Sequence, residues 1–275
     1  MSQNPQDTAL FIHSTGMGPF MWKRLMSTVP EGMRSLAVIN RGYAPDDLMP
    51  AGTPFSMDMD LAHIRQQIPR DTSGLHLVAH SYGGLLALLL TLDKDLPVKS
   101  LWLYEPVMFG ALRLVQDELD GELGEEMRGM YNPDSVFTKA EQGGTDEWLE
   151  AFINYWNGPG AWAFMPDKVK APMRAVGWKM SQEVSLIGSL PRHFEDFRVE
   201  QPLTLVHGEH TRLPAREMTH RLARVNDHAL LETMPGLGHM SVVTDADRVV
   251  PSLQAHWQRV MAGPDSAQAP LARQA

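Results

Sequence analysis

The chain has 275 residues, which is long enough for one large α/β domain with a buried core. It carries 24 Lys and Arg residues against 33 Asp and Glu residues, and this net charge of −9 disfavours nucleic acid or an anionic membrane as a partner. It contains no cysteine, which excludes disulfides, thiolate nucleophiles and cysteine metal sites. The amino-terminal segment lacks the regions of a secretory signal, and no apolar run is as long as a membrane span, so we expect a cytoplasmic protein.

The first part of the chain predicts two strands and an amphipathic helix. A short apolar strand at 8–12 ends on a glycine-rich turn at 13–18, which allows backbone N–H groups to face a cavity. Pro19 then favours the start of a helix. A second strand is predicted at 35–39, and apolar residues spaced by three and four predict a helix at 56–68.

A nucleophile-bearing turn is predicted at Ser81. An apolar run beginning at Leu75 predicts a strand, and after the turn an unbroken apolar run to Leu90 predicts a helix. Ala79 and Gly83 are small residues. Small residues are required there because the strand before the turn and the helix after it approach each other closely. This pattern favours a serine hydroxyl held clear of the backbone, beside helix N–H groups that stabilise a developing oxyanion.

An acidic residue follows the next predicted strand, at 98–104. Glu105 is costly to bury and lies at the strand end, where α/β sheets bind ligands, so we expect it to have a partner. A later strand at 202–207 leads to a second candidate acid, Glu209. The alternation of strands and helices predicts right-handed crossovers and a mostly parallel sheet.

The segment 107–199 lacks strand patterns and is helical in character. Large apolar residues there indicate a hydrophobic, adaptable surface, although each one more often forms the core of such a segment than a ligand wall. These residues are Trp148, Phe152, Tyr155, Trp156, Trp162, Phe164, Met165, Trp178 and Met180. After a helix at 214–225 and a last strand at 229–234, His239 lies on a glycine-containing loop before a closing helix at 241–261.

Taken in order, these motifs resemble the α/β-hydrolase superfamily. The resemblance implies an α/β-hydrolase fold, with a mostly parallel central sheet flanked by helices and a helical cap insertion. It assigns residues 1–106 and 200–262 to the hydrolase core and residues 107–199 to the cap. The tail at 263–275 is rich in Pro, Ala and Gln, and we expect it to be disordered.

The same resemblance implies roles for individual residues. Ser81 is the expected nucleophile and His239 the expected base, in the superfamily's chain order. The backbone N–H groups of Tyr82 and Thr15 are the expected oxyanion hole. Thr15 is placed by matching His13 to the histidine of the family's His-Gly-x segment. Ser14 stands where the family usually has glycine.

The acid of the predicted triad is an open choice between two glutamates. Most superfamily members carry an aspartate at the position of Thr211, and a threonine cannot supply the negative charge that stabilises an imidazolium. The turn at Ser81 resembles the superfamily's nucleophile elbow. Some members, including certain haloalkane dehalogenases, hold the acid at the end of the strand after the helix of this elbow. Glu105 occupies that position, so the resemblance favours it, and Glu209 is the alternative.

The resemblance implies a serine hydrolase that cleaves a carboxylic ester or lactone with a hydrophobic moiety through an acyl-enzyme. A serine at position 81 disfavours dehalogenase and epoxide hydrolase chemistry. Alternatives on the same triad are carbon–carbon bond hydrolysis, thioester cleavage and acyl transfer, and a non-catalytic ligand-binding protein is a further one. We expect a small-molecule substrate, no cofactor, a monomer or homodimer, and no metal site at His207 and His210.

Overall fold

The computed structural model of the protein describes residues 5–262, so the tail predicted to be disordered lies outside the described residues. Six parallel strands form one sheet in the order β2-β1-β3-β4-β5-β6. The strands are β1 (Gln6–Ile12), β2 (Arg34–Val38), β3 (Thr72–His80), β4 (Val98–Tyr104), β5 (Leu203–Gly208) and β6 (Leu230–Met234). The order places β4 beside β3, so Glu105 follows the strand that neighbours the elbow.

Helices connect the strands and cover the sheet. They are α1 (Lys23–Met26), α2 (Met57–Gln67), α3 (Tyr82–Leu90), α4 (Phe109–Leu114), α5 (Gly121–Met130), α6 (Asp146–Asn157), α7 (Ala161–Phe164), α8 (Asp167–Ser189), α9 (Leu213–Val225), α10 (Ser241–Thr244) and α11 (Ala246–Met261). Short 3₁₀ turns occupy Pro19–Trp22, Gln116–Glu118, Ala140–Gln142 and Phe194–Phe197. Five helices, α4 to α8, lie between β4 and β5, in the segment predicted as the cap; the exact division into core and cap stays a prediction.

The sheet is buried on both faces, and α3 is buried on every side. All nine residues of α3 are buried, which explains why its sequence is apolar all round rather than amphipathic. One apolar cluster includes α3 and much of β3, and a second cluster, around Trp22, Trp102 and Trp257, lies on the opposite face. Ser81 is therefore presented from the most deeply packed strand–helix unit of the molecule.

The helices between β4 and β5 also have a small core of their own. Its members come from α6, α7 and α8, and are Trp148, Leu149, Ile153, Trp162, Val176 and Met180. Three of the large residues singled out in the sequence, Trp148, Trp162 and Met180, are thus committed to internal packing. Phe164 is 89% exposed, so it belongs to neither this core nor a pocket.

The closing helix predicted at 241–261 is interrupted at Asp245, which separates α10 from α11. Asp245 leaves helical geometry (φ −133°, ψ 36°), and its carboxylate accepts a hydrogen bond from the Thr244 hydroxyl. Aspartate has a low helix propensity, so a break is tolerated at this position. Within residues 5–262, no helix is both long and apolar enough to cross a membrane.

Candidate active site

Ser81 lies in a strained turn between β3 and α3. Its φ of 55° is in the left-handed region, which a residue with a side chain adopts only where the surrounding structure enforces it. The turn brings α3 against the end of β1. The approach is so close that a Cβ at Gly83 would lie 2.3 Å from the Ile12 carbonyl oxygen. Glycine is therefore required two residues after the serine, as the sequence pattern predicts.

A continuous hydrogen-bond chain joins Ser81, His239 and Glu105. Ser81 Oγ lies 3.1 Å from His239 Nε2, and His239 Nδ1 lies 2.6 Å from Glu105 Oε2. Because the carboxylate accepts from Nδ1–H, Nε2 of a neutral imidazole is free to accept the serine proton. All three residues are buried, with exposed fractions of 6% or less, so water does not compete for these contacts.

The carboxylate of Glu105 accepts three hydrogen bonds. Oε1 accepts a hydrogen bond from the Gly208 N–H at 2.8 Å, and Oε2 accepts one from the Thr211 hydroxyl at 2.6 Å as well as the bond from His239. Its backbone has a positive φ of 45°, a strained conformation in a residue with a side chain. Thr211, which the family resemblance places at the usual position of the acid, instead donates to the carboxylate of Glu105.

The alternative acid, Glu209, has different partners. Its carboxylate accepts a hydrogen bond from the Gly236 N–H at 2.8 Å, and its side chain is 57% exposed. It thereby stabilises the loop that precedes His239 rather than the imidazole itself. Of the two glutamates considered from the sequence, the structure brings Glu105 to His239.

The imidazole of His239 lies against two rings. Trp156 of α6 stacks on one side, with ring centroids 3.7 Å apart and planes at 19°, and His80 lies 4.6 Å away at 45°. Burial lowers the pKa of His80 well below its ordinary value, so this neighbour stays uncharged. The loop is anchored as well, because the Tyr104 hydroxyl donates to the Gly238 carbonyl at 2.8 Å.

The turn after β1 lies beside Ser81. Thr15 is buried and lines the same pocket as the serine. The turn is fixed by His13, whose Nδ1–H donates to the Ser14 carbonyl at 2.8 Å while its Nε2 accepts the Asn40 N–H at 3.0 Å. Burial lowers the pKa of His13 to about 4, which keeps this neutral bonding pattern.

The backbone at the two predicted oxyanion donors is compatible with that role. Within residues 5–262, the non-glycine residues with positive φ are Ser81 and Glu105, so Ser14 follows an ordinary path that needs no glycine. Tyr82 is the first residue of α3, and an N–H at that position has no acceptor inside its own helix. The assignment of the Thr15 and Tyr82 N–H groups to an oxyanion hole stays a prediction.

An apolar pocket opens from Ser81 toward the helices between β4 and β5. The residues that line it are Thr15, Ser81, Val107, Phe109, Met130, Tyr131, Phe137, Phe152, Tyr155, Trp156, Val184 and Ile187. Of the nine large residues singled out in the sequence, Phe152, Tyr155 and Trp156 line this pocket. The cavity that it encloses has a volume of about 30 Å³, which is enough for water molecules.

A second, larger cavity adjoins this pocket. It has a volume of about 240 Å³ and shares four wall residues with the first, namely Met130, Tyr131, Phe137 and Val184. Arg113 and Lys139 are the charged residues that line it. Because methionine and phenylalanine side chains rotate without losing a hydrogen bond, this shared wall is the part of the site best able to change shape.

Among residues 5–262, no three His, Cys, Asp or Glu side chains are placed to hold a metal ion. His207 has other partners, since its Nε2 lies 3.0 Å from both His220 Nε2 and the Thr233 hydroxyl. His210 is 70% exposed. The two histidines considered from the sequence thus occupy separate surroundings.

The sequence matches the Alpha/beta hydrolase family over residues 9–252, so the protein belongs to this family. Comparison with curated proteins gives no match. Similar solved structures include a thermophilic esterase from Thermogutta terrifontis, with 16% identity, 94% of this chain and 91% of that one covered, and a TM-score of 0.65. An enol-lactonase from Burkholderia xenovorans LB400 has 13% identity, 92% of each chain covered and a TM-score of 0.63.

A third similar structure is a meta-cleavage product hydrolase from Pseudomonas fluorescens IP01, with 17% identity, 93% of this chain and 92% of that one covered, and a TM-score of 0.62. At these identities the similarity shows the fold alone. The family and the neighbouring hydrolases support a hydrolase. Which bond is cleaved has to be argued from the residues of this chain.

Two contacts of the site were missed in the sequence. Thr211 was considered only as the loss of an acid, although a hydroxyl there can donate to a carboxylate on the neighbouring strand. In the sequence, Trp156 is one of nine large residues of segment 107–199, and no local pattern distinguishes it from the tryptophans of the small core. Both contacts join segments far apart in the chain.

Proposed function

We propose that the protein is a serine hydrolase that cleaves a carboxylic ester or lactone with a hydrophobic moiety through an acyl-enzyme. The observation that carries this proposal is the buried chain from Ser81 Oγ through His239 to Glu105, with distances of 3.1 and 2.6 Å. Such a chain activates a hydroxyl that is otherwise a weak nucleophile at neutral pH. Membership of the hydrolase family supports the same conclusion.

Acylation begins when Ser81 Oγ attacks the carbonyl carbon of the ester. His239 Nε2 takes the hydroxyl proton as the new C–O bond forms, and the carbonyl electron pair moves onto oxygen. The N–H groups of Thr15 and Tyr82 donate hydrogen bonds to this oxyanion. Glu105 stabilises the imidazolium and holds its tautomer.

The tetrahedral intermediate then collapses to an ester of Ser81. The bond from carbon to the alcohol oxygen breaks, and His239 Nε2 returns its proton to that oxygen. In deacylation, the same imidazole takes a proton from water as the water oxygen attacks the acyl carbon. The second tetrahedral intermediate collapses as the bond between the acyl carbon and Ser81 Oγ breaks, which releases the carboxylic acid, and His239 Nε2 returns its proton to Oγ.

The pocket supports an apolar group beside the reacting carbonyl. Its wall is made almost entirely of aromatic, aliphatic and methionine side chains, and none of its lining residues is ionised at neutral pH. An ionised group placed there would lose its hydration without gaining a charged partner. We therefore assign the hydrophobic part of the ester or lactone to this pocket.

The proposal is tested with p-nitrophenyl butyrate and with a fluorophosphonate probe that phosphonylates activated serines. The wild-type protein is expected to release p-nitrophenol and to take up one probe per chain, and Ser81→Ala is expected to do neither. The matched control is Ser73→Ala, which alters an exposed serine that donates to Asp7 near the start of β3. A wild-type protein that is neither active on esters and lactones nor labelled would overturn the proposal.

A further inference from the structure

A lysine of α8 is completely buried among polar groups that the proposed mechanism does not use. Lys179 has an exposed fraction of 0%, as do Asp60 of α2 and Glu183, one helical turn further along α8. The ammonium of Lys179 donates to Asp60 Oδ2 at 2.9 Å and to Glu183 Oε1 at 2.5 Å. A charged group with no exposed surface is held only where its partners compensate its lost hydration.

On the side of the elbow, this cluster ends on Tyr82. The Tyr82 hydroxyl donates to Asp60 Oδ2 at 2.8 Å, and Asp60 Oδ1 accepts the Arg41 N–H at 2.9 Å. Tyr82 directly follows the nucleophile, and its own backbone N–H is one of the two proposed oxyanion donors. Its side chain therefore fixes the position of the residue whose main chain faces the substrate.

On the side of the β1 turn, the cluster ends on Gly16. The Tyr43 hydroxyl donates to Glu183 Oε2 at 3.0 Å and accepts the Gly16 N–H at 2.9 Å. Gly16 directly follows Thr15, the second proposed donor. Gly16 is also in contact with α8, because a Cβ there would lie 2.8 Å from the terminal methyl carbon of Met180.

One unbroken chain of hydrogen bonds thus connects the two halves of the proposed oxyanion hole. It runs from the Gly16 N–H through Tyr43, Glu183, Lys179 and Asp60 to the Tyr82 hydroxyl. The two central members come from α8, between β4 and β5, whereas the oxyanion donors belong to the turns after β1 and β3. Without the two residues of α8, this chain of hydrogen bonds would not link the two turns.

We propose that Lys179 and Glu183 are positioning residues that set the spacing between the Thr15 and Tyr82 N–H groups. This inference rests on the proposed function, because a fixed spacing matters only where an oxyanion forms. Oxyanion stabilisation depends on donors that are already aimed at the developing charge, so a small loosening lowers the rate more than it lowers substrate binding.

The protonation of the cluster agrees with a fixed, fully bonded unit. Burial raises the pKa of both Tyr43 and Tyr82 well above the ordinary value, so both phenols keep the protons that they donate. Burial and the nearby carboxylate of Asp60 raise the pKa of Glu183, and the ammonium of Lys179 opposes that rise. A buried ionic cluster is weak evidence for stability, and fixing one arrangement of the chain is its better-attested use.

The test uses Tyr43→Phe, Tyr82→Phe and Glu183→Gln, each of which interrupts the chain of hydrogen bonds and nearly conserves the shape of the side chain. Replacing Lys179 itself would leave two buried carboxylates without a cation and risks unfolding. The matched control is Trp178→Phe, which removes a different hydrogen bond between α8 and the rest of the protein, from Trp178 Nε1 to the Thr53 carbonyl at 3.0 Å. Melting temperature is measured for all four variants.

The readouts are kcat and KM for p-nitrophenyl butyrate, and the inhibition constant of butylboronic acid, whose tetrahedral adduct with serine places an oxygen in the oxyanion hole. Each of the three variants is expected to lower kcat about tenfold and to weaken the boronic acid by a similar factor, with KM changed by less than about twofold. Trp178→Phe is expected to leave all three constants within about twofold.

A merely structural role would instead lower the melting temperature and leave kcat and boronic acid inhibition unchanged. That outcome, or an equal loss in Trp178→Phe, would overturn the inference while the esterase proposal stands. A wild-type protein without ester or lactone turnover would overturn the proposed function, and the positioning role with it. If the three variants change KM alike and leave kcat unchanged, the cluster acts in substrate binding, and this result would also contradict the inference.

Discussion

The two sides of the pocket at Ser81 are built on different principles. On the sheet side, Ser81 and Glu105 have positive φ values, and the side chains from Ser81 to Glu105 are joined by short hydrogen bonds. On the side of α5 to α8, the wall consists largely of apolar side chains, such as Met130 and Phe137, that touch without directional bonds. The side chains bonded to Ser81 are therefore held mainly by the sheet, and the shape of the pocket is set by the helices.

This difference separates two kinds of substitution. A change on the sheet side disturbs a bonded network in which each group has a defined partner, so it is expected to affect the rate of reaction. A change in the apolar wall alters a volume, so it is expected to affect which substrates fit. Lys179 and Glu183 are exceptions to this division. They belong to α8, but their side chains are hydrogen-bonded, through Asp60 and Tyr43, to the turns on the sheet side.

The largest effect is expected at the acid. Glu105→Gln keeps the shape of the side chain but removes the charge that stabilises the imidazolium, so kcat/KM for p-nitrophenyl butyrate is expected to fall by about 10³ to 10⁴. Glu209→Gln is the matched control and is expected to stay within about twofold of wild type. The opposite order of effects would return the assignment to Glu209.

The next effect is a loss of folding stability at low pH, and we expect it to arise from a histidine buried against the sheet. His256 of α11 is buried against the sheet, where its ring bonds to the Thr204 and Ser100 hydroxyls, and burial lowers its pKa to about 3. Since the unfolded chain binds this proton at a pKa of about 6.5, the stability from the neutral ring is complete above about pH 6.5 and is lost as the pH falls toward about 3.

From about pH 6.5 to about pH 5 this one group is expected to lower the free energy of unfolding by about 2 kcal/mol. Urea unfolding of wild type and His256→Gln at the two pH values measures the difference, because glutamine keeps hydrogen-bonding capacity and does not titrate. Equal losses in both proteins would show that His256 makes no such contribution. His210, which is 70% exposed, supplies the control variant His210→Gln with a wild-type response.

A smaller effect is expected where the two sides meet, at Trp156. Trp156→Leu removes the ring that stacks on His239, which frees the imidazole to rotate, so kcat is expected to fall about tenfold. Trp156→Phe keeps an aromatic face and is expected to recover most of the loss. The control is Phe164→Leu, at an exposed aromatic residue of α7. Equal activities for the leucine and phenylalanine variants at 156 would contradict a stacking role.

The smallest effect is expected in the apolar wall. Phe137 lies between the pocket at Ser81 and the adjoining cavity of about 240 Å³, so Phe137→Ala is expected to join them. The ratio of kcat/KM for p-nitrophenyl octanoate over butyrate should then rise about fivefold, whereas kcat for butyrate stays within about threefold. Phe20→Ala, at an exposed residue that lines neither volume, provides the control. An unchanged ratio would assign the acyl chain to another part of the pocket.

Local patterns were sufficient to predict much of the fold. The apolar runs of β3 and α3 around Ser81, and the apolar strand before Glu105, are features of single short segments, and the α/β-hydrolase fold expected from their order is confirmed. The predicted site residues lie together in the structure, because strand ends and loops of a parallel sheet meet at one edge. Their catalytic roles stay predictions until the variants are measured.

Contacts between distant segments were not predictable. A lysine on a long helix such as α8 is usually exposed, and nothing near Lys179 in the sequence indicates that Asp60 lies against it. The same is true of Thr211, whose value depends on the carboxylate of Glu105. The break of the closing helix lies at Asp245, a residue of low helix propensity, which periodicity does not report.

The central claim is that His239 and Glu105 activate Ser81 for attack on an acyl carbon. Its most direct test is peptide mass spectrometry of the protein after brief exposure to the fluorophosphonate probe, in wild type and in Glu105→Gln. We predict a single adduct on Ser81, formed at least about a hundredfold more slowly in the variant. An adduct on another residue with Ser81 unmodified, or equal rates in the two proteins, would contradict the account.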